Sequence, residues 1–214
     1  MLTLAVETAG ETCGVALADL SGVLYDVSFR HNRQLLERLP AVVEDVFRSC
    51  GVGWPDVGRI AAGLGPGSFT GVRVAVTFAK TWAWAAGVPV AGVSSLEAAA
   101  LDWGRVAPVV GIAPCRAGHA IVWLGGDDYR VLPVEEIETT VRALHPTGTV
   151  VLVGDSASTV PAADGLVIQP GGATATQVAL WAISELASER FGSPETLLPL
   201  YVAPPPIRNA GGNP

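Results

Sequence analysis

Residues 63–81 read GLGPGSFTGVRVAVTFAKT, an apolar strand end, a glycine-rich loop and the start of an apolar helix. Gly65, Gly67 and Gly71 permit positive φ or a close approach of backbone to backbone. Ser68 and Thr70 are candidate caps for the helix, whose free amides favour an anion. Two phosphate-binding patterns are excluded. G-x-x-x-x-G-K-[ST] is absent, and G-x-G-x-x-G fails because Ser68 and Thr70 stand where the third glycine belongs. A structural strand-to-helix turn and an anion site both remain open.

Working outward, residues 2–7 (LTLAVE), 13–19 and 23–29 read as strands, the last two joined by a hairpin turn at Ser21-Gly22. Residues 34–48 place Leu35, Leu39, Val42 and Val46 on one face and Glu37, Arg38, Glu44, Asp45 and Arg48 on the other, an amphipathic helix stopped by Gly51. A strand at 57–64, a helix at 71–86, a strand at 88–93 and a short helix at 95–103 complete the order βββαβαβα. The second half repeats it. Strands fall at 108–113, 119–125 and 129–133, then a helix at 134–144, a strand at 149–153, a short helix or turn, a strand at 166–169 and a helix at about 174–190.

Strands joined by tight turns are antiparallel, and those reached through helices add in parallel. The expectation is an α/β chain of two tandem ribonuclease-H-like units in the actin/Hsp70/sugar-kinase architecture. The N-terminal unit covers 1–104 and binds a partner, the C-terminal unit covers 105–202, and 203–214 (APPPIRNAGGNP) is a disordered tail. Two units of about 100 residues suit the length of 214.

Half the residues are hydrophobic and the mean hydropathy is +0.42, yet the longest apolar candidate, 71–93, carries Arg73 and Lys80 and is broken by Gly87 and Pro89. It fails as a membrane span. Met1 runs into an apolar segment with no basic n-region, so a cytoplasmic protein without membrane contact is expected. The net charge of −7 repels phosphate backbones, which assigns any main nucleic-acid surface to another chain. Cys13, Cys50 and Cys115 lack metal-ligand spacing and read as reduced thiols. His31, His119 and His145 stand alone and read as surface or ordinary structural residues.

The run GPGSFTGVR, the helix ending in Ala79-Lys80, and GVPVAGVSSLEAAA at 87–100 resemble the TsaB (YeaZ) family. LAVETA at 4–9 is similar to that family's opening strand, the first phosphate-loop strand of actin-like ATPases. RQLLERLPAVVEDVF, and more weakly VGIAPCRAGHAIVW and PLYV, fit as well. The resemblance implies a subunit of the machinery that makes N6-threonylcarbamoyladenosine at position 37 of tRNA. Its expected partners are a TsaD-like catalytic subunit and a TsaE-like ATPase, with a homodimer when TsaD is absent and tRNA reached only through the complex. TsaD-like subunits carry an H-x-x-x-H pair on the equivalent of GVSSLEAAA. Here Ser95 and Ala99 occupy those positions, and neither replaces an imidazole ligand.

The expected role is therefore a scaffold with no catalytic residue and no metal of its own. The alternatives are an actin-fold ATPase or metallo-glycoprotease-like hydrolase, and a homodimeric binding module for another client. No cofactor is firmly implied, with ATP or ADP at the partner interface left open. Residues near such a nucleotide phosphate would be Glu7, Thr8, Gly65, Gly67, Ser68, Thr70 and Gly71. Glu7 keeps the charge of the usual Asp but is one methylene longer. Its other reading is a carboxylate satisfied by loop amides and hydroxyls such as Thr8 and Thr12. Helix 71–86 carries Ala75, Ala79, Ala83 and Ala86 in line, Phe78 and Trp82 beside them and Trp84 on a third side. An all-round apolar helix needs cover on more than one side. The resemblance points to the two N-terminal helices as partner contacts, giving Leu35, Leu39, Val42, Val46, Ala75, Phe78, Ala79 and Trp82 as interface candidates.

Overall fold

Strand β1 (Leu2–Glu7) is buried on both faces, and the two environments it enters set out the layers of the molecule. Leu4 and Val6 point into a core shared with helices α1 (Leu35–Cys50) and α2 (Phe69–Ala86), while Ala5 points into a core shared with helix α5 (Ala175–Ser184). Alternation of side chains along a strand makes one six-residue segment serve both. The computed structural model describes residues 1–30, 34–185 and 190–203. His31 and the expected tail beyond Ala203 lie outside the described residues.

The first sheet adds β2 (Thr12–Asp19), β3 (Gly22–Arg30), β4 (Val57–Gly63) and β5 (Val90–Val93) in the order β3-β2-β1-β4-β5. The hairpin-linked pairs are antiparallel and the helix-linked pairs parallel. The second sheet has the same plan in β6 (Val109–Pro114), β7 (His119–Trp123), β8 (Tyr129–Pro133), β9 (Val150–Gly154) and β10 (Leu166–Pro170). Its order is β10-β9-β6-β7-β8. Helix α4 (Val134–Leu144) buries Ile137 and Val141 against its outer face. These are the two mixed five-stranded sheets expected of the actin-like architecture.

One local expectation changes, and one left open is decided. The first hairpin turns at Leu20-Ser21, with Gly22 already paired to Asp19. The Asp19 carboxylate accepts the Ser21 amide at 2.8 Å, and this side-chain bond places the turn one residue earlier. Between β9 and β10 the short connection makes only a 3-10 turn (Ala157–Thr159), since Pro161 and Gly165 leave no room for a helix.

Helix α5 lies on β1, β2, β3 and β4, so the last helix of the second half covers the first half's sheet. Helix α3 (Ser95–Ala100) reciprocates by packing on β6 and β9. The inner face of the first sheet is built of Ala5, Ala16, Ala18, Ala61 and Ala91, and α5 meets it with Ala175, Val178, Ala179 and Ala182. Small residues on both sides let the helix approach the sheet closely. The segment after α5 also returns to the first half: Gly192 bridges Val90, Leu197 joins the outer core, and the Leu200 amide donates to the Leu64 carbonyl at 2.9 Å.

Candidate functional site

The glycine loop between β4 and α2 is packed against the turn after β1. Gly65 adopts φ +83, in the left-handed region. A Cβ at Gly67 would overlap the Ala9 carbonyl oxygen, and one at Gly71 would overlap that of Thr8. The Ser68 amide donates to the Ala9 carbonyl at 2.7 Å, and the Thr8 hydroxyl donates to the Gly71 carbonyl at 2.6 Å. Ser68 is the N-cap of α2, its hydroxyl accepting the Gly71 amide at 3.2 Å. Thr70 is exposed in the first helical turn and makes no cap. Gly67 and Gly71 are thus glycines because another backbone passes where a side chain would be.

Glu7 ends β1 in full burial, at 1% exposure. Its carboxylate accepts the Ala9 amide at 2.6 Å and the Ser95 hydroxyl at 2.7 Å. Ser95 in turn accepts the Gly65 amide at 3.1 Å, and its own amide donates to the Gly65 carbonyl at 2.7 Å. Gly63 lies beside the carboxylate, where a Cβ would overlap it. Burial pushes the Glu7 carboxyl up to about 7, against the downward pull of the Ala9, Ser95 and Thr8 hydrogen bonds. Of the hydroxyls expected to hold it, that of Thr8 goes to Gly71, and Thr12 is exposed at the start of β2. The hydroxyl that does hold it comes from Ser95, 88 residues away in sequence. Glu7, Thr8, Gly65, Gly67, Ser68 and Gly71 are brought together, joined in part through Ala9 and Ser95.

Burial within the chain sorts the interface candidates. Leu35, Leu39, Val42, Val46, Ala75 and Ala79 are all buried in the core between α1, α2 and the first sheet. A helix with an apolar stripe buries that stripe on its own sheet first. Phe78 and Trp82 are half-buried, and their rings belong to a cluster with Trp54 and Phe47. Trp54 stacks on Trp82 with centroids 3.2 Å apart, so Trp82 faces its own chain. The large apolar side chains most exposed on these helices are Leu36 on α1 and Trp84 on α2, at 69% and 74%, with Phe69 at the start of α2 exposed to 40%.

A cleft of about 1210 Å³ opens beside the glycine loop, between the halves. It is lined by Gly10, Glu11, Arg30, Arg116, Asp155 and Tyr201 among others. A second recess of about 480 Å³ shares Glu11 and Asp155 and adds Trp103, Gly172 and Gln177. Asp155 follows β9, as Glu7 closes β1, and had no place among the expected site residues. Its sequence signal is an apolar strand ending in Gly154-Asp155. Among the described residues no group of three or more His, Cys, Asp or Glu side chains is arranged to hold a metal ion. His119 and His145 lie on separate elements, at the start of β7 and the end of α4. Cys13 is buried, with its thiol pushed up to about 12 by burial, and Cys50 and Cys115 are half-buried.

A family model described as "TsaD: tRNA N6-adenosine threonylcarbamoyltransferase" matches residues 29–145, more than half of the chain. The chain belongs to the TsaD family. Within it, the chain is of the TsaB (YeaZ) type. It is 28% identical to the tRNA threonylcarbamoyladenosine biosynthesis protein TsaB of Escherichia coli over 98% of its own length and 95% of that protein's. It is 36% identical to the protein of the same name from Bacillus subtilis over 48% of its length and 44% of that protein's. The match thus spans less than half of the one relative and nearly all of the other. Among solved structures, YeaZ from Pseudomonas aeruginosa superposes with a TM-score of 0.78 at 25% identity, over 94% of this chain and 99% of that one. Ser95 and Ala99 are the positions that the family resemblance equates with the two histidines of TsaD-like subunits. The Ser95 hydroxyl is spent on Glu7, and Ala99 is buried in the core between the halves. No helix among the described residues is long and apolar enough to cross a membrane.

Proposed function

We propose that this chain is a non-catalytic scaffold and activator in the synthesis of N6-threonylcarbamoyladenosine at position 37 of tRNA. It pairs with a TsaD-like catalytic subunit and works with a TsaE-like ATPase. It touches tRNA only through that complex, and dimerises with itself when the TsaD-like subunit is absent. The relatives named for this pathway support the placement. The observation that carries the non-catalytic role is the fate of the two positions at the start of α3. Ser95 is locked between Glu7 and the glycine loop with both side chains buried away from any substrate, and Ala99 lies in packed core, so neither position offers a metal ligand or an accessible nucleophile. In this reading no cofactor belongs to the chain itself, and ATP or ADP is held at the boundary with the partner. The chain works in the cytoplasm, where tRNA is modified.

The partner surface consists of the outward faces of α1 and α2, with Leu36 and Trp84 as apolar anchors in place of the buried stripe. The test is product formation in vitro from tRNA, threonine, bicarbonate and ATP with TsaC-, TsaD- and TsaE-type proteins of the same source, with and without this chain. Product is expected only when the chain is added, and none from the chain alone. Full modification in its absence would end the scaffold reading.

A further inference from the structure

Open α/β sheets take ligands in the crevice outside the carboxyl ends of their strands, where loop amides point at an incoming anion. In this chain the carboxyl ends of β1 and β9 meet at one such crevice, and a side chain of the protein spans it. Asp155, immediately after β9, places its Oδ2 2.7 Å from where a Cβ on Gly10 would stand and 2.9 Å from where one on Gly172 would stand. Burial raises the Asp155 carboxyl above its ordinary value, against a downward pull from the neighbouring Gly172 and Glu11 amides. One side chain of the second half thus sits on the backbone turn that follows β1 and on the loop that precedes α5.

The two glycines make the point independently. Neither Gly10 nor Gly172 has a positive φ, so their conformations do not require glycine. The atom nearest to a Cβ at either position is the same Asp155 Oδ2, so a side chain at either would have to displace that carboxylate. Glu11 lines the smaller recess with Asp155, so a phosphate entering there meets two carboxylates and no cationic side chain. Arg30 and Arg116 line only the larger recess.

We propose that Asp155 is an internal ligand, its carboxylate occupying the position a nucleotide phosphate would take in this crevice, tying the two halves together and closing the cleft to phosphate-bearing molecules. The residues present therefore do not fit a nucleotide in the chain's own cleft, although the fold is one that accommodates nucleotides there. This goes beyond the pairing proposed above and stands or falls without it.

The test uses the full chain and inorganic pyrophosphate as the probe, titrated calorimetrically into the native protein and into Asp155→Ala. The native chain is expected to bind none at millimolar concentration. The variant, with its amides freed, is expected to bind at least about tenfold more tightly. Equal binding by the two overturns the proposal. Binding by neither likewise overturns the phosphate position, and hydrogen exchange at the Glu11 and Gly172 amides then tests the tie between the halves separately. Exchange about tenfold faster in the variant upholds the tie between the halves, and unchanged exchange overturns it. If Asp155→Ala does not fold, Asp155→Ser, which shortens the side chain and removes the charge, carries the same two measurements.

Discussion

At the scale of single residues, Glu7 is the group whose titration the fold carries into the neutral range. Its carboxyl is raised from 4.5 to about 7 by burial. A folded-state value above the unfolded one means that protonation favours the native protein. The stabilisation is complete below the unfolded value and is lost as pH rises through about 7. Over that span it amounts to about 3 kcal/mol. Glu7→Gln keeps the size and the oxygen that accepts the Ala9 amide, without the charge. Its stability relative to the native chain should therefore improve by about 2 kcal/mol between pH 5.5 and pH 8, measured by urea unfolding at both values. A difference that does not move with pH would mean that Glu7 is not the titrating group. A carboxylate at the end of the first strand was visible in the sequence, as was the need of a partner for it. That the partner is Ser95 was not, because a hydrogen bond between residues so far apart depends on how α3 is set against the glycine loop. Asp155 escaped for the same reason, since its role exists only where two loops from different halves converge.

At the scale of elements, the strands and helices were legible because each obeys a period. The two-sided strands read as continuous apolar runs, and α1 reads as a stripe with a glycine stop, Gly51 at φ 66. Periodicity says which face of a helix is apolar but not what covers it, and here the apolar faces of α1 and α2 were taken by their own sheet. The aromatic side chains of α2 therefore divide by role. Trp82→Ala removes the ring stacked on Trp54 and should cost about 2 kcal/mol of stability, with little direct effect on a partner. Trp84→Ala removes an exposed ring and should leave stability within about 0.5 kcal/mol. On the scaffold reading it should weaken binding to the TsaD-like subunit by about 2 kcal/mol, roughly thirtyfold, as measured by titration calorimetry. The reverse pattern, with Trp82 governing binding and Trp84 governing stability, would restore the buried stripe as the interface and require α2 to open on pairing.

At the scale of the whole molecule, the repeat in the sequence divides the chain near residue 104, while the packing does not. The duplication is plain in the two sheets, which share one strand order. The exchange of covering helices is not encoded in that repeat, because α5 reads as an apolar helix wherever it lies. Its burial of Ala175, Val178, Ala179, Trp181 and Ala182 is spent largely on the first sheet, and the chain from Gly192 to Leu200 returns there too. Trp181 fixes the crossing, its indole Nε1 donating to Glu97 of the first half at 3.2 Å. A fragment of residues 1–104 would expose the alanine face of β1, β2, β4 and β5 along its whole width. Alanine offers little apolar area of its own, so that face gains its stability from the helix laid on it. The isolated fragment is therefore expected to show no cooperative urea transition and poor dispersion in its amide spectrum. Addition of a 105–214 fragment should restore both in a one-to-one complex. A fragment that unfolds cooperatively on its own, with a dispersed spectrum unchanged by its complement, would show that each half carries a sufficient core, and would reduce the helix exchange to an ornament of the interface between two independent domains.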